Sequence, residues 1–294
     1  MIVLFGSINL DLIFHLPAIP RAGETLLAPG IRIEPGGKGA NQAVAAARDG
    51  AQVVMAGAIG RDALAAGALA MLRDASVDLS RVIEVEAATG CAAIFVDPHG
   101  ANAIGVGSGA NLAVRAEQVE DALLGPTTTL VLQMEVPAAE TASLIHRARA
   151  CGARIILNLA PAGPLEVAAL RALDLLTVNE TEAAWLAADL GCGADAAALR
   201  GALGVDVVRT LGEVGADVAT ASGTQRMPAH RITPVDTTAA GDCFVGVLAA
   251  ALDRGASLTT ALTRASAAAA LCCTRAGSQS SLPTAAETDT LAIV

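Results

Sequence analysis

The chain has 294 residues, 53% of them hydrophobic and 16% charged, with a net charge of −10. That suits one large α/β domain with at most a small appendage, and it argues against nucleic acid or an anionic membrane as partner, since both need clustered Lys and Arg. Aromatic residues make up 2% and tyrosine is absent, so the core is aliphatic and a pocket can stack few rings on a ligand.

In chain order, "IVLF" is predicted as a short buried strand ending at Gly6. The next thirty residues carry four prolines and partial alternation, which predicts extended segments with turns. A helix is expected from about Ala40 to Asp49, then a strand in "QVVMAGAIG" and a helix in "RDALAAGALAMLRDAS". "RVIEVEAATGCAAIFVDPHGANAIGVG" returns to hairpin-like alternation, with "DPHG" as a turn. From residue 114 onward strands and helices alternate: helix "VRAEQVEDAL", strand "TTTLVLQM", helix "AAETASLIHRARACG" with Gly152 as C-cap, strand "ARIILNL", helix "LEVAALRAL", strand "DLLTVN", helix "ETEAAWLAADL" and strand "VDVVRTLG". "ADVATAS" and "QRMPAHRI" are expected to pair as a hairpin, and two helices, about Gly241–Gly255 and Leu258–Thr274, close the chain. Such alternation implies a parallel sheet covered on both faces. The extended stretches at about 10–36 and 88–106 break the rhythm and are expected to form a small β-sheet lid.

The cysteines Cys91, Cys151, Cys192, Cys243, Cys272 and Cys273 have no C-x-x-C spacing, which points to reduced thiols in a cytoplasmic protein rather than a metal cage or a disulfide framework. The start "MIVLFGSINLDL" lacks a basic segment, its apolar run is short for a signal peptide, and no apolar run has membrane-spanning length. The histidines His15, His99, His146 and His230 are scattered, without metal-ligand spacing.

Ligands of open parallel sheets gather at the carboxyl ends of the strands. Those ends carry Asn9 and Asp11, Glu135, Asn158, Asn179 with Glu182, Thr210 with Gly212 and Gly215, and Asp236 to Asp242. In "DTTAAGDCF" small residues lead into a helix, so backbone N–H groups at its first turn form an anion site. Asp242 at that helix start is either a capping carboxylate or a base that takes a proton from a hydroxyl while the N–H groups hold a transferring phosphoryl group. "VNETE" is a capping box or outer-sphere support for Mg²⁺. "GGKGANQ" holds Lys38, the chain's one lysine against 18 arginines. This loop is a nucleotide clamp, a plain helix-start turn, or the wall of another ligand's site. There is no G-x-x-x-x-G-K-[ST], no G-x-S-x-G, and no G-x-G-x-x-G after the first strand; "GVGSGA" fits only the loose dinucleotide form.

Together "GSINLD", "GGKGANQA", "LNLAPA", "VNETE", "TLGEVG", "DTTAAGDCF" and "CTRAGSQSSLP" resemble, in this order and over essentially the whole chain, the motifs of the ribokinase-like carbohydrate kinases. The resemblance implies a three-layer α/β/α fold with a mostly parallel central sheet and a β-sheet lid. It implies transfer of the ATP γ-phosphoryl group to the 5-hydroxyl of D-ribose, and a homodimer joined through the lids. It would make Asp242 the base, with an anion hole from the N–H groups of Ala239, Ala240, Gly241 and Asp242. Ribose would be held by Asn9, Asp11, Gly37, Lys38, Asn41, Glu135 and Asp242, and ATP by Asn179, Thr210, Gly212, Gly215, Gly241 and Ser266. Glu182 would support Mg²⁺ through water, and K⁺ as monovalent activator would lie near Asp236, Thr238, Cys272, Arg275, Gly277 and Ser281. A kinase for deoxyribose, another sugar or a nucleoside is the near alternative, and a non-catalytic sugar or nucleotide sensor is the alternative of another class.

Overall fold

The computed structural model describes residues 1–99 and 101–292. Its strands are β1 (Ile2–Phe5), β2 (Asn9–His15), β3 (Ile31–Gly36), β4 (Val53–Gly60), β5 (Asp78–Val85), β6 (Gly90–Val96), β7 (Asn102–Gly107), β8 (Thr129–Leu132), β9 (Arg154–Asn158), β10 (Leu175–Val178), β11 (Asp206–Thr210), β12 (Ala216–Thr220) and β13 (Gly223–Met227). Its α-helices are α1 (Lys38–Arg48), α2 (Ala65–Ala68), α3 (Ala70–Asp74), α4 (Ala138–Cys151), α5 (Val167–Arg171), α6 (Glu180–Leu190), α7 (Ala196–Leu203), α8 (Ala240–Asp253), α9 (Leu258–Cys273) and α10 (Ala285–Ala292).

Nine strands form the central sheet in the order β13-β12-β11-β10-β9-β8-β1-β4-β5, and every pairing is parallel except β11–β12 and β12–β13, so β12 alone runs opposite to the rest. Alternation along β1 shows how the layers arise. Ile2 and Leu4 join the core beneath α1, α8 and α9, while Val3 and Phe5 join the core beneath α4 to α7. The three-layer α/β/α arrangement with a mostly parallel sheet thus matches the expectation. α1 and α8 approach closely because residue 246 is glycine: a Cβ there would fall 2.4 Å from the Gln42 carbonyl oxygen.

The two extended stretches form a second sheet, in the order β3-β2-β6-β7. β2 pairs antiparallel with β3 and parallel with β6, and β6 pairs antiparallel with β7. Residues 16–30 contain no strand. Asn9, Asp11 and Ile13 share one face with Glu34, Ala92 and Ile94, whereas Leu12, Phe14, Ile31, Ile33 and Phe95 share the other. Gly100, the last residue of the "DPHG" turn, lies outside the described residues.

Several local expectations are corrected. "VRAEQVEDAL" forms two 3-10 turns, Ala116–Gln118 and Asp121–Leu123, rather than an α-helix. The helix expected in "RDALAAGALAMLRDAS" starts only at Ala65 and is split at Leu69. β5 is no hairpin partner of β6; it adds to the edge of the main sheet, parallel to β4. β13 stops at Met227, before Pro228, which has no N–H for the ladder. α7 was not anticipated, and α10 adds a third helix after the two expected at the end. Gly152 does cap α4, with φ of 80°.

Candidate active site

α1 starts where Gly37 adopts φ of 86°, a region that favours glycine, and a Cβ there would also lie 2.8 Å from the Asn9 nitrogen. The turn therefore presses the helix start against β2. α8 follows Ala239, which holds φ of 59° although it carries the Cβ that makes this left-handed region costly for any residue but glycine. The two helix starts meet over the carboxyl ends of β8 and β9, where hydrogen bonds join α1, α8, Gln133 and Asn158.

At the centre lies the Asp242 carboxylate, 6% exposed. Its Oδ2 accepts from Asn41 Nδ2 at 2.9 Å and its Oδ1 from Gln42 Nε2 at 3.0 Å. A carboxylate of this kind accepts, so both amides must present their nitrogens to it. Each amide oxygen is then engaged behind: Asn41 Oδ1 accepts from Gln279 Nε2 at 3.1 Å, and Gln42 Oε1 from Gln133 Nε2 at 2.8 Å. Gln42 Nε2 also donates to Asn158 Oδ1 at 3.1 Å. The carboxylate is thereby held in one orientation by a buried amide network.

Beside it, the backbone N–H groups of Ala239, Gly241 and Asp242 have no protein acceptor among the described residues, as a helix N-terminus dictates. The Ala240 N–H differs from the expected hole: it donates to Thr237 O at 3.3 Å. Tight turns close this way because the left-handed Ala239 brings residue 240 back over residue 237.

Lys38 opens α1. Its backbone N–H donates to Glu135 Oε2 at 3.0 Å, and the same oxygen accepts from Ser7 Oγ. Its ammonium forms none of the ion pairs found among the described residues. Asp242 foremost, then Glu135, keep it charged against the effect of burial. Asp11 lies against Gly36, where a Cβ would fall 2.1 Å from Oδ2. Burial, reinforced by Glu135, Glu34 and Asp242 and only partly offset by Lys38, pushes the Asp11 carboxyl up to about 7. Asn9 is 3% exposed and bonded through Oδ1 to Asn111.

"VNETE" forms the capping box: Asn179 Oδ1 accepts from the Glu182 N–H and Glu182 Oε2 from the Asn179 N–H, each at 2.8 Å. The Asn179 oxygen is therefore spent on the helix, and its Nδ2 is what remains for a ligand. Burial raises the Glu182 carboxyl above its ordinary value, although the Asn179 N–H and Lys38 oppose this. Thr210 ends β11 and donates to Val178 O. Gly212 and Gly215 follow with φ of 54° and 110°. Ser266 is half-buried on α9 and makes no hydrogen bond to another of the site residues.

The residues expected near a monovalent cation are brought together, apart from the Arg275 side chain, which turns away to Glu287 Oε1 at 2.6 Å. Asp236 accepts from the N–H groups of Thr238 at 2.9 Å and Gly277 at 3.0 Å. Burial works against its ionisation, but these bonds and Arg32 hold its carboxyl below the usual range. The Cys272 thiol lies 3.0 Å from Ser281 Oγ and bonds Thr238 O at 3.7 Å. β3 reaches the same loop, since Glu34 Oε2 accepts from the Ser278 N–H at 2.9 Å and Arg32 pairs with Glu34 Oε1 at 2.8 Å.

Sequence reasoning passed over Ser7, Gln42, Asn111, Gln133 and Gln279. Gln42 and Gln133 carried a signal: each is a polar residue in an otherwise apolar buried run, which demands a partner. Asn111 and Gln279 sit in irregular segments and carried none.

A site that sets the buried Asp242 carboxylate and the single lysine, Lys38, beside a helix N-terminus with free N–H groups suits transfer of an anionic group to a neutral polyol. The comparisons agree. The chain is 35% identical to the ribokinase of Haemophilus influenzae, with 98% of this chain and 96% of that protein covered. It is 34% identical to the deoxyribokinase of Salmonella typhi, with 96% and 95% covered. The solved structure of Arabidopsis thaliana ribokinase complexed with ribose and ATP has a TM-score of 0.88 at 28% identity, covering 100% of this chain and 98% of that one. The profile described as pfkB family carbohydrate kinase matches residues 1–285. With that match spanning both the GGKGANQ turn and the Asp242 helix, the chain belongs to the pfkB family of carbohydrate kinases.

Proposed function

We propose that the chain is an ATP-dependent ribokinase, transferring the γ-phosphoryl group of ATP to the 5-hydroxyl of D-ribose to give D-ribose 5-phosphate. The observation that carries this reading is the Asp242 carboxylate, fixed by Asn41 and Gln42 beside the unpaired N–H groups of Ala239, Gly241 and its own backbone. Asp242 accepts the proton of the 5-hydroxyl, and the oxygen electron pair attacks the γ-phosphorus as the bond to the β-phosphate oxygen breaks. The free N–H groups hold the charge on the transferring group, and Lys38 faces it from α1. Asn9, Asp11, Gly37, Asn41 and Glu135 hold the sugar hydroxyls. Asn179 through Nδ2, Thr210, Gly212, Gly215 and Ser266 line the nucleotide side.

The donor set fits the ions the reaction uses. Glu182 has one oxygen in the capping box and the other left for water bound to Mg²⁺, which neutralises phosphate charge when bound. Asp236, Thr238 and Ser281, with carbonyls of the Cys272 to Gly277 segment, offer the oxygen ligands a hard cation such as K⁺ prefers. We assign the second sheet as a lid over the sugar, because Asn9 and Asp11 project from one of its faces. Its other face carries Leu12, Phe14, Ile31, Ile33 and Phe95, an apolar surface suited to a second copy of the chain, hence a homodimer through the lids. The six free cysteines accord with a reducing cytoplasm.

The test is ADP release with a pentose panel including D-ribose and deoxyribose, with and without K⁺, for wild type and Asp242→Asn. D-ribose is expected to give the highest kcat/KM, and Asp242→Asn to lower kcat by about a thousandfold. Near-wild-type turnover of the variant would remove the base role, and a panel without turnover would overturn the ribokinase reading.

A further inference from the structure

Asn9 and Asp11 are two residues apart on β2, so they leave the same face of the second sheet. An ionised Asp11 can only accept hydrogen bonds. What Asn9 offers depends on which way its amide is turned. That is settled by a group with only one possible role. The Ile8 backbone N–H must donate, and it donates to Asn111 Oδ1 at 2.9 Å. Asn111 therefore directs Nδ2 to the other side, where it donates to Ile8 O at 3.3 Å and to Asn9 Oδ1 at 2.7 Å. The oxygen of Asn9 is spent, and its Nδ2 has no acceptor among the described residues.

The surroundings are built around this contact. Asn111 is 1% exposed in the 3-10 turn Gly109–Ala113, more than a hundred residues from Asn9 in sequence. A Cβ at residue 90 would fall 2.2 Å from Asn9 Oδ1 and 2.3 Å from Asn111 Nδ2, so only glycine leaves room for the pair.

We propose that Asn111 is a specificity-determining positioning residue: by capturing Asn9 Oδ1 it makes Asn9 a hydrogen-bond donor toward the sugar, alongside the acceptor Asp11. The inference rests on the sugar-kinase reading above. A hydroxyl has one proton and acceptor lone pairs, so it satisfies a donor and an acceptor at once. A deoxy position leaves both groups without a partner, which is how a polar site rejects the lesser sugar. With Asn9 reversed, two acceptors would compete for one proton.

Asn111→Asp performs that reversal. The new carboxylate still accepts from the Ile8 N–H but repels Asn9 Oδ1, turning the Asn9 amide round. Steady-state constants are measured for wild type, Asn111→Asp, Asn9→Ala and the double variant. The substrates are D-ribose and pentoses in which one hydroxyl at a time, other than the phosphorylated one, is replaced by hydrogen or by fluorine. Asn111→Asp is expected to raise KM for D-ribose about tenfold, with kcat within about twofold of wild type. In the Asn9→Ala background it is expected to add nothing, because it acts through Asn9. An unchanged KM, or an equal effect with and without Asn9, would overturn the proposal. If Asn111→Asp does not fold, the wild-type panel decides. Fluorine, which accepts but cannot donate, should then bind better than hydrogen at one carbon, and Asn9→Ala should abolish that preference. No such preference at any carbon also overturns it. Turnover without this coupling removes only the role of Asn111, whereas absence of turnover with every pentose removes the kinase reading itself.

Discussion

Asp11 shows how a single burial decision becomes a pH response. Its carboxyl is raised to about 7, chiefly by burial and then by Glu135, Glu34 and Asp242. If the sugar hydroxyls bind the ionised form, affinity falls as that form is lost. KM for D-ribose is expected to rise about tenfold between about pH 8 and about pH 6, and Asp11→Asn to flatten this profile. A wild-type KM that does not change over that range would refute the role. The sign for folding is opposite. The native state binds this proton more tightly than the unfolded chain, so the group's contribution to stability is complete below its ordinary value and is lost as pH rises through about 7. At this scale Lys38, Asn41 and Asp242 could be singled out because each stands near a helix start, whereas Asn9 and Asp11, expected at the end of the first strand, lie in β2 of the second sheet. Asn111 and Gln279 were not legible, since their importance comes from partners about a hundred or more residues away.

Among the elements, α6 separates structure from chemistry most cleanly. Glu182 completes the capping box with Asn179 and also lies where Mg²⁺ support is proposed. Glutamine can serve the box, whereas alanine cannot. Glu182→Ala is expected to cost about 1 kcal/mol in stability, a fall of roughly 2–4 °C in Tm. Glu182→Gln should keep Tm near wild type yet raise the Mg²⁺ concentration needed for half-maximal rate. Unchanged Mg²⁺ dependence in Glu182→Gln would leave the residue a cap alone. Here the sequence was a good guide, because capping signals are local. It was a poor guide to "VRAEQVEDAL", whose helical spacing is overruled by long-range bonds: the Gln118 side chain donates to Gly57 O and Arg81 O. The same limit explains β5, whose alternation is that of a hairpin strand but whose neighbour is β4.

For the molecule as a whole, the two faces of the second sheet divide the labour: one carries Asn9 and Asp11, the other the apolar Leu12, Phe14, Ile31, Ile33 and Phe95. Ile33 is 57% exposed, so replacing it cannot empty the core of one chain. Ile33→Asp is expected to convert a dimer to monomers by light scattering while Tm changes little; a wild type already monomeric would remove the dimer proposal. Strand-helix alternation made the layers legible, but strand order and the meeting of α1 with α8 were not, since neither leaves a local mark. The glycine at residue 246 is where that meeting is decided. The meeting also joins segments made at different times. A chain emerging from the ribosome through β11 already owns Lys38, Asn41 and Gln42, yet holds neither Asp242 nor the open helix start beside it. With Asp242 as the proposed base, phosphoryl transfer waits until α8 has been made, so a nascent copy that stops short of it cannot squander ATP.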